Sequence, residues 1–177
     1  VAGKIIEQGS NSVDTEIVGK ITPGGRIISN HNSTQKVIVE WARGGNMSFR
    51  KKVILDAGGF DISFLGNAIF EDVDMCFRLR RLKYTLIFDP EAALIHLAIP
   101  SGGCQTRTLS VTETYYNFFR NKTLFFLKNM PWILIPLLGL SILMKAFLIG
   151  IISQKNLASF CKLAFKAPLE GYKSYRY

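Results

Sequence analysis

The sequence predicts an α/β domain followed by amphipathic and membrane-inserting helices, and three observations predict it. Short apolar runs alternate with polar loops and stretches of helical spacing through residues 1 to 110, the alternation that lays helices on a sheet. Residues 131 to 153 are almost wholly apolar, close to the ~20 residues that cross a bilayer. Charge divides in the same place: residues 1 to 110 hold 13 Lys/Arg against 11 Asp/Glu, and residues 111 to 177 hold 9 against 2. With 48% hydrophobic and 12% aromatic residues, the chain is neither a disordered tail nor a fibrous repeat.

Val1 to Ile6 and Val37 to Val39 are apolar runs set between polar stretches such as Gly9-Ser10-Asn11-Ser12 and Ile28-Ser29-Asn30-His31-Asn32. They predict strands joined by long surface loops. No Met precedes Val1, and the chain opens on strand-like residues, so the expectation is a cut through a domain. After Gly44-Gly45-Asn46-Met47-Ser48-Phe49-Arg50, the spacing of Val53, Ile54 and Ala57 predicts a helix that Gly58-Gly59 stops. Residues 60 to 70 read as a loop. Residues 71 to 83 read as a helix, with Met75, Leu79 and Leu82 on one face, acids first and Arg78, Arg80, Arg81 and Lys83 last, as the helix dipole favours. A strand over Tyr84 to Phe88, a turn at Asp89-Pro90-Glu91 and a second run from Ala92 to Leu97 follow.

The tail begins with a mixture of Tyr115, Phe118, Phe119, Phe125 and Phe126 with Arg120, Lys122 and Lys128, suited to a helix lying where lipid meets water. In the apolar run that follows, Pro131, Pro136, Gly139, Gly150 and Lys145 weigh against a plain crossing, since a mid-membrane charge costs roughly 3 kcal/mol or more unless it reaches the interface. A single span and a re-entrant or interfacial hairpin fit these marks equally, and basic residues on both sides set no orientation. Residues 154 to 177 resume as a basic amphipathic helix. Cys76, Cys104 and Cys161 are odd in number and widely spaced, which suggests neither a disulfide framework nor a zinc site and fits a reducing, cytosol-facing setting. The basic tail carries phenylalanines and an apolar span in place of a groove-reading element, so nucleic acid is not the expected partner.

For chemistry, Glu71, Asp72 and Asp74 open a helix after a glycine-containing loop, where a carboxylate can take a proton from an approaching hydroxyl. The same placement serves helix capping and the dipole equally well. Gly44-Gly45 reads either as a plain tight turn or as backbone left bare for a ligand. Trp41 suits stacking on a sugar ring or packing at the core edge. His96, ending a strand, is a metal ligand or a satisfied structural histidine.

The ordered set Gly44-Gly45-Asn46-Met47-Ser48-Phe49-Arg50, Gly58-Gly59-Phe60-Asp61, Glu71-Asp72-Val73-Asp74-Met75-Cys76-Phe77-Arg78-Leu79 and Pro90 through His96 resembles family 2 glycosyltransferases, in particular the bacterial rhamnosyltransferase-like branch, over residues 1 to 125. The resemblance implies the C-terminal half of a GT-A, Rossmann-like catalytic domain over residues 1–110, then an interfacial helix at 111–130, a transmembrane or re-entrant segment at 131–153 and a basic tail at 154–177. It implies a nucleotide-sugar donor and displacement with inversion, Asp72 deprotonating the hydroxyl of a polysaccharide or lipid-linked acceptor with Glu71 beside it. Gly44, Gly45 and Asn46 would line the acceptor pocket, with Trp41 close by. His96 would complete a donor-side metal site or touch the diphosphate. Arg120, in an Arg-Asn pair, would meet the departing diphosphate or a lipid headgroup.

A divalent Mg or Mn is implied too, its main ligands expected outside this chain. Asp72-Val73-Asp74 is not the metal-binding DxD of such enzymes, because i and i+2 do not share a helix face. The family's nucleotide-binding strands and its DxD have no counterpart in these residues, so the isolated chain is expected to be inactive. The implied setting is a bacterial cell membrane, catalytic part toward the cytoplasm, with membrane lipids as partners. The alternative is a membrane-associated binding or scaffold protein of transferase-like fold.

Overall fold

The structure, a computed structural model, describes residues 1–97, 110–152 and 157–176. It comprises two compact units, a sheet unit and a helical unit.

The sheet unit is a mixed α/β arrangement. Its three-stranded sheet has β1 (Ala2–Glu7) and β4 (Val37–Val39) on either side of β5 (Leu86–His96), β1 parallel to β5 and β4 antiparallel to it. A two-stranded ribbon of β2 (Lys20–Ile21) and β3 (Ile27–Ile28) stands beside it in sequence. α1 (Lys51–Asp56) is one and a half turns long and ends where Gly58 and Gly59 adopt φ of 80° and 76°, the left-handed values glycine takes freely. α2 (Glu71–Arg81) buries Val73, Met75, Cys76 and Leu79. Ala2, Ile5, Val39, Trp41, Leu86 and Phe88 complete that core.

Three expectations are corrected here. The turn at Asp89-Pro90-Glu91 is absent: β5 runs through it, and Pro90, Glu91 and Ala92 bulge out opposite the Gly3–Lys4 step of β1. Asp89 Oδ1 accepts the Glu91 N–H at 3.1 Å, so the turn chemistry operates inside a strand, where a proline without an N–H is tolerated at a bulge. The helix expected over 71–83 ends at Arg81, because Lys83 turns to φ 68° and Leu82 stays exposed. Asp74, one of the carboxylates read as chemical, is 0% exposed and ion-paired to Arg78 Nε at 2.7 Å. Arg78 Nη1 in turn donates to the Ala57 and Gly59 carbonyls at 2.5 and 2.7 Å, fastening α2 to the end of α1.

The helical unit holds α3 (Val111–Asn129), α4 (Ile135–Ile152, after a 3-10 turn at Trp132–Leu134) and α5 (Leu157–Arg176), with residues 62–70. Ser110 caps α3 reciprocally with Glu113: the Ser110 N–H donates to Glu113 Oε2 at 2.8 Å and Ser110 Oγ accepts the Glu113 N–H at 3.2 Å. Part of α3 is more enclosed by the protein than its mixed composition suggested. Phe119 to Phe126 are all buried, including Arg120, Asn121, Lys122 and Thr123, because α5 covers them. Gly171 makes that approach possible: a Cβ there would stand 2.5 Å from the Arg120 carbonyl oxygen. Outward on α4, Leu140, Met144, Phe147, Leu148 and Ile151 are exposed. Among the described residues Trp132–Ile151 is the one helix long and apolar enough to cross a membrane, at mean hydropathy 2.2.

Candidate active site

Parallel pairing of β1 with β5 sets the last residues of both strands side by side, Glu7 opposite His96. Ligands of α/β proteins gather beyond the carboxyl ends of parallel strands, and here a charged cluster occupies that edge. Glu7 Oε2 meets His96 Nδ1 at 2.6 Å, and Glu7 Oε1 meets Arg43 Nη1 at 2.7 Å. The bond to His96, with help from Arg43, holds the Glu7 carboxyl below its ordinary value. In the neutral ring Nδ1–H donates to Glu7, which leaves Nε2 with the lone pair.

Arg43 leads into the turn Gly44–Asn46, and that turn reaches α2. The Gly44 N–H donates to Asp72 Oδ2 at 3.0 Å, and Asp72 Oδ1 accepts the Val73 N–H at 2.8 Å. Burial pushes the Asp72 carboxyl up from its usual range, and those N–H groups and the Arg43 charge pull the other way without cancelling it. Glu71 is raised as well, by burial and then by Asp72. A carboxylate with a raised pKa at a helix mouth is what a general base working near neutrality requires.

Asp72, Glu71, Gly44, Gly45 and His96 thus fall within one unit around one edge. Two other expected residues are spent on structure. Asn46 donates both amide hydrogens to the Lys4 and Ala92 carbonyls at 2.9 and 2.8 Å, bolting the β5 bulge to β1; at Gly3 a Cβ would collide with that amide and with Ala92 O. Trp41 is 4% exposed and packs edge-on to His31 at 4.7 Å, so its ring is not offered to a sugar. Arg120 belongs to the helical unit, where its guanidinium donates to Ser63 O, Asn121 Oδ1 and Ser174 Oγ at 2.7 to 2.8 Å. Sequence reasoning missed Glu7 and Arg43. Arg43's place before Gly44-Gly45 was a usable signal; Glu7's role depends on a strand register between residues 89 apart.

Among the described residues no group of three or more His, Cys, Asp or Glu gathers to hold a metal ion. His96 with Glu7 is one ligand and its support, so the residues present do not by themselves fit a divalent metal.

The class this defines is a mixed α/β domain presenting a tuned carboxylate at a helix mouth beside the carboxyl edge of its sheet. A family model, glycosyl transferase family group 2, matches residues 24–153. The chain belongs to that family. No curated protein and no solved structure gives a significant match.

Proposed function

We propose that the chain supplies the acceptor side of an inverting glycosyltransferase that moves a sugar from a nucleoside-diphospho-sugar to a hydroxyl of a saccharide or lipid-linked acceptor. The carrying observation is Asp72, a half-buried carboxylate whose pKa is raised and whose oxygens are oriented by the Gly44 and Val73 N–H groups.

In this reading the acceptor O–H gives its proton to Asp72 as its oxygen bonds to the anomeric carbon. The bond from that carbon to the diphosphate breaks on the opposite face, and the nucleoside diphosphate leaves with the electron pair. Glu71, one residue away, contacts the acceptor. The glycine pair supports the assignment: a Cβ at Gly44 would lie 3.6 Å from Asp72 Oδ2, and one at Gly45 3.6 Å from Ile5 Cδ1. These are ordinary contacts, so packing within the unit does not demand glycine, and bare backbone serves a ligand instead.

On the donor side, His96 offers Nε2 with Glu7 fixing its ring, the orientation seen when histidine supports a diphosphate or ligates an ion; the remaining metal ligands are sought outside this chain. Arg120 and Trp41 are left out of the site because their polar groups or ring faces are already engaged. The apolar α4 holds the transferase at the cytoplasmic side of a cell membrane, where lipid-linked acceptors lie.

The stereochemistry of the product tests the reaction class. With the nucleotide-binding half of the family joined to this chain, NMR of the transferred sugar is expected to show the anomeric configuration opposite to the donor's. Retention would remove direct displacement and Asp72's role with it.

A further inference from the structure

Two ammonium groups share the seam between α3 and α4, with no carboxylate paired to them among the described residues. Lys122 is 5% exposed, and its Nζ meets Ser141 Oγ at 2.9 Å. Lys145 is half-buried, its Nζ 3.7 Å from the centre of the Phe118 ring and 6.0 Å from that of Tyr115. The residues form facing rows: Tyr115, Phe118 and Lys122 recur at i, i+3 and i+7 on α3, Ser141 and Lys145 at i and i+4 on α4. Burial pushes the Lys122 ammonium down to about 8, and the charge of Lys145 adds to the push.

No Asp or Glu occurs from residue 114 to residue 169. The helical unit's carboxylates are Glu113, held in the Ser110 capping box, and Glu170, paired with Lys173 at 2.9 Å. A buried cation lacking a counter-charge is costly, and a second of like sign raises the cost. A serine hydroxyl and a phenyl face return only part of it.

We propose that the Lys122–Ser141–Lys145 seam binds a phosphate group, entered from the less buried Lys145 side. Two ammoniums and a hydroxyl match the charge and the acceptor oxygens of a phosphate monoester, and the bonds they form are charge-assisted. The phosphate belongs either to a lipid headgroup or to a free anion. The site stands in the helical unit and does not depend on the transfer chemistry above.

The whole chain is assayed without any sugar donor. In one arm, co-sedimentation at physiological salt compares vesicles of phosphatidic acid in phosphatidylcholine with phosphatidylcholine alone. In the other, the melting temperature in detergent is followed as inorganic phosphate is added. The Lys122→Met/Lys145→Met variant is expected to weaken the response to whichever probe the wild type answers, phosphatidic acid or inorganic phosphate, by about tenfold or more. Lys162→Met/Lys166→Met, which removes two exposed α5 cations, changes it by less than about threefold. Lys145→Arg keeps it.

The seam variant also melts above the wild type in phosphate-free detergent, since two costly charges are gone; a site that merely braced the helices would melt lower. Stabilisation by inorganic phosphate assigns a free anion, and a response to phosphatidic acid alone assigns a lipid headgroup. A seam variant that answers both probes as the wild type does, a control that loses as much, or a wild type indifferent to both probes overturns the site.

Discussion

Asp72 is tuned by its immediate surroundings: burial raises its pKa, while two backbone N–H groups and Arg43 keep it ionisable. With Asp72 as the proposed base, which acts only when deprotonated, turnover of a protein that joins this chain to the family's nucleotide-binding half is expected to fall with decreasing pH through a limb lying above the ordinary aspartate range. A pH–rate profile flat down to that range contradicts this. His31 shows the reverse logic in the core. Its ring is 2% exposed, with Ser29 Oγ at 2.9 Å and the Trp41 carbonyl at 3.3 Å, and burial lowers its pKa to about 4.

An unfolded histidine binds its proton near ~6.5, so between there and about 4 the unfolded chain holds the extra proton. The stability that the neutral ring contributes is complete above that window and is lost as pH falls through it, by about 3 kcal/mol. Urea midpoints at pH 7 and pH 4.5 measure the drop, and His31→Gln flattens it. Asp72, Glu71, Gly44 and His96 could be singled out as candidates from the sequence because each sits at a fixed offset from a glycine turn, a helix start or a strand end. Glu7 could not, since no local pattern announces a partner across a sheet.

At the scale of elements, the β5 bulge decides where His96 lies. Three residues loop out of β5 opposite Gly3–Lys4 before pairing resumes at Lys4–Ala93, and Asn46 closes the gap with two bonds to backbone carbonyls. Gly3→Ala forces a methyl into that amide and is expected to destabilise the unit by about 1–3 kcal/mol while loosening the Glu7–His96 pair. Chemical denaturation checks the first effect and the His96 ring NMR shifts the second; an unperturbed variant removes the bulge from the account. The same bulge explains why the sequence suggested a turn here: Asp-Pro-Glu does make its local bond, inside a strand instead of between two. α2 was read correctly in start and polarity because its acids and bases follow the dipole. Its end was missed by the positive φ at Lys83, which no sequence rule assigns to lysine.

Across the whole molecule, the helical unit takes α3, α4 and α5 together with residues 23–25 and 62–70, so the division into two units is not a single cut at the composition break near residue 110. For the apolar run from 131 to 153 the sequence left a single span and a re-entrant or interfacial hairpin equally open, and the structure places the helix α4 there. What hydropathy did not reveal is that α3, rich in phenylalanine and lysine, is covered by α5 within the helical unit; periodicity states which face is apolar, not what lies against it. The exposed row of α4 is the surface proposed to meet a membrane. Changing Leu140, Met144, Phe147 and Ile151 to glutamine is expected to abolish liposome flotation while the circular dichroism of the helices persists. A variant that still floats would move membrane attachment elsewhere.

The central claim, that Asp72 is the base of a sugar transferase, is tested most directly by substitution in a protein that pairs this chain with the family's nucleotide-binding half. Asp72→Asn keeps the size of the side chain and its contact with the Gly44 N–H but cannot take the proton. Initial rates with a saturating nucleotide-sugar donor are expected to fall about 10²- to 10⁴-fold, with the donor KM close to that of the parent. Turnover equal to the parent's would contradict the account.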